Sequence, residues 1–125
     1  MEKIDKKILI VEDDADFLSI LQIKFTSEGF SVVTAENGED GVSVAEKEKP
    51  DLILSDVLLP QMNGIEMAEK IKKSGNGALI VFLTNIKDTE HINSARKLGN
   101  LDYLIKSDIR ISDIVDKVKA KLGLK

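Results

Sequence analysis

Short unbroken apolar runs alternate with longer stretches in which apolar residues return every three or four positions, and the alternation repeats five times. The runs fall near residues 7–11, 31–35, 51–55, 78–83 and 101–105. The first, third and fourth are almost continuous Ile, Leu and Val, the pattern of strands covered on both faces in a parallel sheet. Helical stripes fill the gaps: Phe17, Leu18, Leu21 and Phe25; then Ile65, Ala68 and Ile71; then Ile114, Val115, Val118 and Leu122. Gly29 and Gly99 stand where helices should stop. Asn37-Gly38 and Asn63-Gly64 read as turns ahead of helices. Ser112 is expected to cap the last helix. Met62 and Met67 are expected to pack near the start of the third helix. Five βα units predict one α/β domain over residues 1–125, with a doubly wound parallel sheet, right-handed crossovers and helices on both faces. The expected strand order is 2-1-3-4-5, so the first and third strands meet at the switch point of the sheet.

Polar residues end these strands in a telling way. Glu12, Asp13 and Asp14 follow the first run, Asp56 the third, Thr84 the fourth and Lys106 the fifth. In a parallel sheet all of them lie along the carboxyl edge, where such folds place their sites. Each alone has a plain explanation. Acids in a first helical turn favour the helix dipole, and Asp14 can be a simple cap. Asp56 can be a turn residue, Thr84 a β-branched strand residue and Lys106 a solvated surface charge. Together they point further. Carboxylates converging at a switch point repel one another and raise their own pKa values unless a cation joins them. Mg²⁺ prefers oxygen ligands and keeps several waters, so two or three carboxylates, a backbone carbonyl and a phosphoryl oxygen suit it. A lysine adds a compact positive charge and a threonine a hydroxyl donor.

Composition narrows the choices. The 125 residues are 42% hydrophobic and 32% charged, enough for a core and a polar surface. A net charge of -4 argues against a nucleic-acid surface. The chain has no cysteine, which removes disulfides, thiolate metal sites and cysteine nucleophiles. Its longest apolar run, Ala78 to Leu83, is far too short for a membrane span, and the first residues lack the apolar stretch of a signal peptide. A cytoplasmic protein is the expectation. His91 has no neighbours at metal-ligand spacing and reads as a solvated helix residue.

The ordered pieces Ile-Leu-Ile-Val-Glu12-Asp13-Asp14, Leu-Ser-Asp56-Val-Leu-Leu-Pro60-Gln-Met-Asn-Gly64, Phe-Leu-Thr84 and Tyr103-Leu-Ile-Lys106 closely resemble the receiver domain of bacterial two-component response regulators. The resemblance runs from about Lys7 to Leu122 and implies a flavodoxin-like (βα)5 fold. It implies that Asp56 accepts a phosphoryl group from a histidine kinase or phosphotransfer protein. It implies that Glu12, Asp13, Asp56 and the backbone carbonyl of Leu58 hold Mg²⁺, and that Thr84 and Lys106 bind the phosphoryl oxygens. Tyr103 would be the switch residue, moving inward as Thr84 is drawn to the phosphoryl group. The chain would then be no enzyme beyond its own phosphorylation and dephosphorylation. It would act on a downstream protein as a monomer or a phosphorylation-dependent dimer.

Three positions depart from the family pattern. Ser107 stands where many receivers have a proline after the lysine, often in a cis peptide, so a different path is expected for the 106–108 loop. Asn85 follows Thr84 where receivers carry a small residue; it either narrows access or adds a hydrogen bond. Leu58 and Ile86 lie two positions after Asp56 and Thr84, where apolar residues should hinder an attacking water. Two other classes remain in view. A pseudo-receiver that binds partners without phosphorylation typically lacks one or more of Glu12, Asp13, Asp56, Thr84 and Lys106. A haloacid-dehalogenase-type phosphatase wants a second acid where Leu58 stands, and a flavodoxin wants a hydroxyl- and glycine-rich phosphate loop where this chain has three acids.

Overall fold

The computed structural model describes residues 3–99 and 102–124. Five strands and five helices alternate: β1 Lys7–Val11, α1 Ala15–Ser27, β2 Ser31–Ala35, α2 Gly38–Glu48, β3 Leu52–Ser55, α3 Gly64–Lys73, β4 Leu79–Thr84, α4 Thr89–Arg96, β5 Asp102–Ile105 and α5 Ile111–Lys121. A single 3₁₀ turn, Lys106–Asp108, joins β5 to α5. The sheet is parallel with order β2-β1-β3-β4-β5, as the sequence predicts. Leu101, the expected first residue of the fifth strand, lies outside the described residues.

Alternation along the strands sorts the core into two layers. Ile8, Ile10, Leu52, Leu54, Val81 and Leu83 pack with Leu18, Leu21 and Phe25 of α1 and Ile114, Val115 and Val118 of α5. Leu9, Val11, Ile53, Ile80 and Phe82 face the other way, onto Ala45 of α2, Ile65, Met67, Ala68 and Ile71 of α3, and Ala95 of α4. Successive strand side chains point to opposite faces, so a continuous apolar run is what a sheet covered twice requires.

Caps set most helix starts. Asp14 accepts from the N–H groups of Asp16 and Phe17, Asn37 from Asp40, Asn63 from Glu66 and Asp88 from His91. The expected cap at Ser112 is not found. The helix begins at Ile111, two residues earlier than a Ser112 cap would place it, behind an extended Arg110 that offers no side-chain cap. Ser112 therefore sits inside the first turn, and burial of Ile114, Val115 and Val118 sets the helix in place. Gly29 and Gly99 follow α1 and α4 with φ of 104° and 111°, the left-handed conformation that suits glycine after a helix end. Met67 is buried within α3, and Met62 is half-buried ahead of it.

Gly64 opens α3 where no side chain fits. A Cβ there would stand 2.1 Å from the backbone carbonyl oxygen of Asp56. Gly64 also donates its N–H to the Val57 carbonyl at 2.8 Å, so the β3–α3 loop closes tightly behind Asp56. Gly77 has open space around its Cβ position. Gly64→Ala is expected to lower unfolding free energy by about 2–4 kcal/mol. Gly77→Ala is expected to change it by no more than about 0.5 kcal/mol. Urea unfolding of the two variants against the parent checks both.

Candidate functional site

The acids lie just past the ends of two adjacent strands, and the sheet ladder still holds their backbones. The Glu12 N–H donates to the Ala35 carbonyl at 3.1 Å, extending the β1–β2 pairing by one residue. The Asp56 N–H donates to the Val11 carbonyl at 3.0 Å, extending β1–β3 in the same way. Glu12 and Asp56 are 2% and 7% exposed, so both carboxyls are carried into the protein by rigid backbone. Asp13 is exposed at the mouth. One oxygen from each of Glu12, Asp13 and Asp56 can be chosen so that all three lie within 4.8 Å of one another. Three oxygen donors converging on one point fit Mg²⁺ by ligand type and charge.

Lys106 joins this cluster from the far side of the sheet order. It opens the 3₁₀ turn after β5, and its Nζ lies 2.5 Å from Glu12 Oε1 and 2.7 Å from Asp56 Oδ2. The same ammonium stands 4.9 Å from the centroid of the Phe17 ring on α1. Asp56 Oδ1 accepts from the Leu58 N–H at 3.1 Å, so both oxygens of this carboxylate are engaged. Glu12 Oε2 accepts from the Asp14 N–H at 3.1 Å. Among the described residues, Lys106 is the cationic side chain that meets both Glu12 and Asp56.

Burial raises the Glu12 pKa above its usual 4.5; the Lys106 hydrogen bond and the Asp14 N–H oppose it, and the Asp56 charge adds to it. Removal from water is thus the leading cause, ahead of the mutual repulsion that the sequence suggests. For Lys106, burial favours the neutral amine. Hydrogen bonds to Asp56 and Glu12 outweigh that, and the net pKa is raised. The lysine is therefore an ammonium at neutral pH.

Thr84, the last residue of β4, is buried, and its Oγ1 accepts from the Ile86 N–H at 3.3 Å. Tyr103 on β5 is half-buried against Phe82, with ring centroids 6.1 Å apart, and donates its hydroxyl to the Ile86 carbonyl at 2.7 Å. Burial, with the Asp88 and Asp56 charges, pushes its phenol up to about 12. Leu58 is 66% exposed beside Asp56, and Ile86 is half-buried. No peptide bond among the described residues is cis, and Lys106–Asp108 forms a 3₁₀ turn. Asn85 Oδ1 accepts from the Ser107 N–H at 3.0 Å, so the larger residue adds a hydrogen bond. His91, on α4, is half-buried rather than fully solvated; its Nδ1 lies 2.7 Å from Asp88 Oδ1.

Phe17 is the site residue that sequence patterning assigned elsewhere. It reads as part of the α1 apolar stripe, and nothing in its spacing announces a contact with a residue 89 positions away. Gly64 is the second, because its role depends on how near α3 comes to the Asp56 backbone.

An open parallel sheet with buried acids and a lysine gathered at its switch point defines a class: α/β proteins whose ligand site lies at the carboxyl edge of the sheet. The family model of the response regulator receiver domain matches residues 8–119, and the chain belongs to this family of signalling phosphoacceptors. It is 33% identical over 121 residues to the sporulation initiation phosphotransferase F of Bacillus subtilis, covering 97% of each chain. It is 39% identical over 103 residues to the alkaline phosphatase synthesis transcriptional regulatory protein PhoP of the same organism, covering 82% of this chain and 42% of that protein. Against many of its curated relatives the chain spans about half of their length or less. A CheY-like response regulator receiver domain protein from Methanospirillum hungatei superposes with a TM-score of 0.89 at 31% identity, over 94% of both chains. No helix among the described residues is long and apolar enough to cross a membrane.

Without added divalent cation, Glu12→Gln is expected to stabilise the protein at neutral pH, because burial disfavours the charged form it removes. The raised pKa makes Glu12 binding of a proton more favourable in the fold, so its contribution is present at low pH and lost as pH rises through the folded value. The stability gap between variant and parent should therefore shrink as pH falls through that value, above 4.5. Lys106→Met should have the opposite sign and cost about 3 kcal/mol, since it leaves two carboxylates uncompensated. Thermal and urea unfolding across pH check both.

Proposed function

We propose that the chain, as a single receiver domain over residues 1–125, takes a phosphoryl group on Asp56 from a histidine kinase or phosphotransfer protein. The reading rests on one observation above all: a buried Asp56 carboxylate held between the Lys106 ammonium and the Leu58 N–H, beside Glu12 and Asp13. One Asp56 oxygen forms a bond to phosphorus as the P–N bond of the phosphohistidine breaks. The donor imidazole nitrogen keeps the electron pair and takes up a proton. The two hydrogen bonds on Asp56 fix its carboxylate plane before the donor arrives, and positioning of this kind carries much of phosphoryl transfer.

Glu12, Asp13, Asp56 and the Leu58 carbonyl would hold Mg²⁺, which supplies neutralisation of charge on the phosphoryl oxygens. Lys106 offers its ammonium and Thr84 its hydroxyl to those oxygens. The Thr84 oxygen also accepts the Ile86 N–H, so its turn toward the phosphoryl group strains that contact, and the Ile86 carbonyl is where Tyr103 anchors its hydroxyl. Phosphorylation thereby biases the β4–α4 loop and Tyr103 together, and with them the α4–β5–α5 face that meets a downstream protein. Moving such a face from mostly off to mostly on takes roughly 5.5 kcal/mol of differential stabilisation. The fold class, the absence of cysteine and the acid cluster fit a cytoplasmic signalling protein.

Incubation with acetyl phosphate and Mg²⁺ is expected to add one phosphoryl group by intact mass. Neither omission of Mg²⁺ nor the Asp56→Asn variant should show it. A folded parent that gains no mass and binds no Mg²⁺ would return the chain to the pseudo-receiver reading. The acyl phosphate is expected to hydrolyse slowly, because Leu58 and Ile86 offer an attacking water no polar side chain. Persistence over many minutes at neutral pH supports this, decay within seconds overturns it, and Leu58→Asn should speed the loss.

A further inference from the structure

The β4–β5 pairing ends where Thr84 stands opposite Ile105. These strand ends deliver Thr84 and Lys106, the hydroxyl and the ammonium of the site. Beyond that point the two chains separate, one into the β4–α4 loop and the other into the Lys106–Asp108 turn. A single side chain continues the link: Asn85 Oδ1 accepts the Ser107 N–H at 3.0 Å. Its two ends are the immediate neighbours of Thr84 and Lys106. Apart from the Lys106 ammonium itself, held by Glu12 and Asp56, the turn has few bonds of its own. It spans three residues, none of them buried, and no side chain caps it. The Ser107 hydroxyl reaches only the adjacent Asp108 carboxylate, at 3.4 Å.

The aim of Lys106 depends on that turn. Its ammonium must stand between Glu12 Oε1 and Asp56 Oδ2, and its stem starts from the first residue of the turn. A shift of the turn moves the root of a flexible four-carbon chain, whose head can then settle on one carboxylate or the other. Asn85 belongs to the same loop as Ile86, which holds the Thr84 hydroxyl and the Tyr103 hydroxyl through its N–H and its carbonyl. The loop that must move when Thr84 turns toward a phosphoryl oxygen is thus tied to the backbone that carries Lys106.

We propose that Asn85 is the positioning residue of Lys106: its side-chain amide clamps the Ser107 N–H and so sets where the lysine ammonium stands relative to the Thr84 hydroxyl. The proposal rests on the receiver reading given above. A small residue at 85 would leave the Ser107 N–H to water and the two loops untied. Among the described residues Asn85 has no hydrogen bond to Glu12, Asp13 or Asp56, so its effect should fall on the rate of phosphoryl transfer and leave cation binding alone.

The test compares the parent, Asn85→Ala and Asn85→Asp in the full chain. Asp keeps an acceptor oxygen for the Ser107 N–H, and high salt screens its added charge. Three quantities are read: the Ser107 amide exchange rate by NMR, the Mg²⁺ dissociation constant by calorimetry, and the phosphorylation rate constant at saturating acetyl phosphate. Asn85→Ala is expected to expose the Ser107 amide and slow phosphorylation by about fivefold, the factor that one ordinary hydrogen bond is worth. Mg²⁺ affinity should stay at the parent value, and the melting temperature should fall by no more than the few degrees that one hydrogen bond accounts for. Asn85→Asp should restore amide protection and most of the rate at high salt. Loss of Mg²⁺ affinity in step with the rate, or a fall in melting temperature larger than one hydrogen bond accounts for, would make the role merely structural and overturn the proposal. So would an Asn85→Ala rate equal to that of the parent, or an Asp variant that protects the amide without recovering the rate. A parent that takes no phosphoryl group would overturn the receiver reading, and the clamp with it.

Discussion

The Lys106 ammonium between Glu12 and Asp56 is the contact on which the site depends. Two carboxylates almost removed from water are costly unless a cation with good geometry meets them. The cation comes from the end of β5, while its partners come from β1 and β3, so the contact spans four of the five strands in sheet order. It forms only when every intervening strand pairs in register. Folding of the sheet and assembly of the site are therefore one event, and a register slip in β3 or β4 would pull the lysine away from its acids.

The rest of the architecture keeps that edge in place. Glu12 and Asp56 stay on the ladder through their own N–H groups, which gives their buried side chains the precision of strands. Gly64 lets α3 close behind Asp56 without a side chain between them. Phe17 sets an aromatic face beside the ammonium from the opposite layer of helices. On the other side of the site, Ile86 joins the Thr84 and Tyr103 hydroxyls, one through its N–H and the other through its carbonyl, and Asn85 reaches across to Ser107. The acid side is fixed by the sheet. The side toward α4 is held by single hydrogen bonds, each worth about 1 kcal/mol, which suits a segment that has to move.

Much of this was legible in the chain itself. Continuous apolar strands such as Ile8-Leu9-Ile10-Val11 announce a sheet covered on both faces, and the polar residues that end them mark the functional edge. Asn37 and Asn63 announced helix starts because a cap is a local hydrogen bond. Ser112 misled for the same reason: its chemistry suits a cap, but burial of Ile114, Val115 and Val118 placed the helix two residues earlier. The departures at Asn85 and Ser107 were visible one by one, 22 positions apart. That they form one hydrogen bond was not, because it depends on where β4 and β5 cease to pair.

The sequence by itself determined the element order, the parallel sheet, and the set of residues that could meet at its carboxyl edge. These follow from periodicity and from the fixed direction of parallel strands, both properties of the local chain. Only the tertiary structure decided which charges touch, which oxygens are already engaged, and which helix supplies an aromatic neighbour. Those outcomes depend on distances of 2.5–5 Å between residues dozens of positions apart, and packing sets such distances where periodicity carries no information about them.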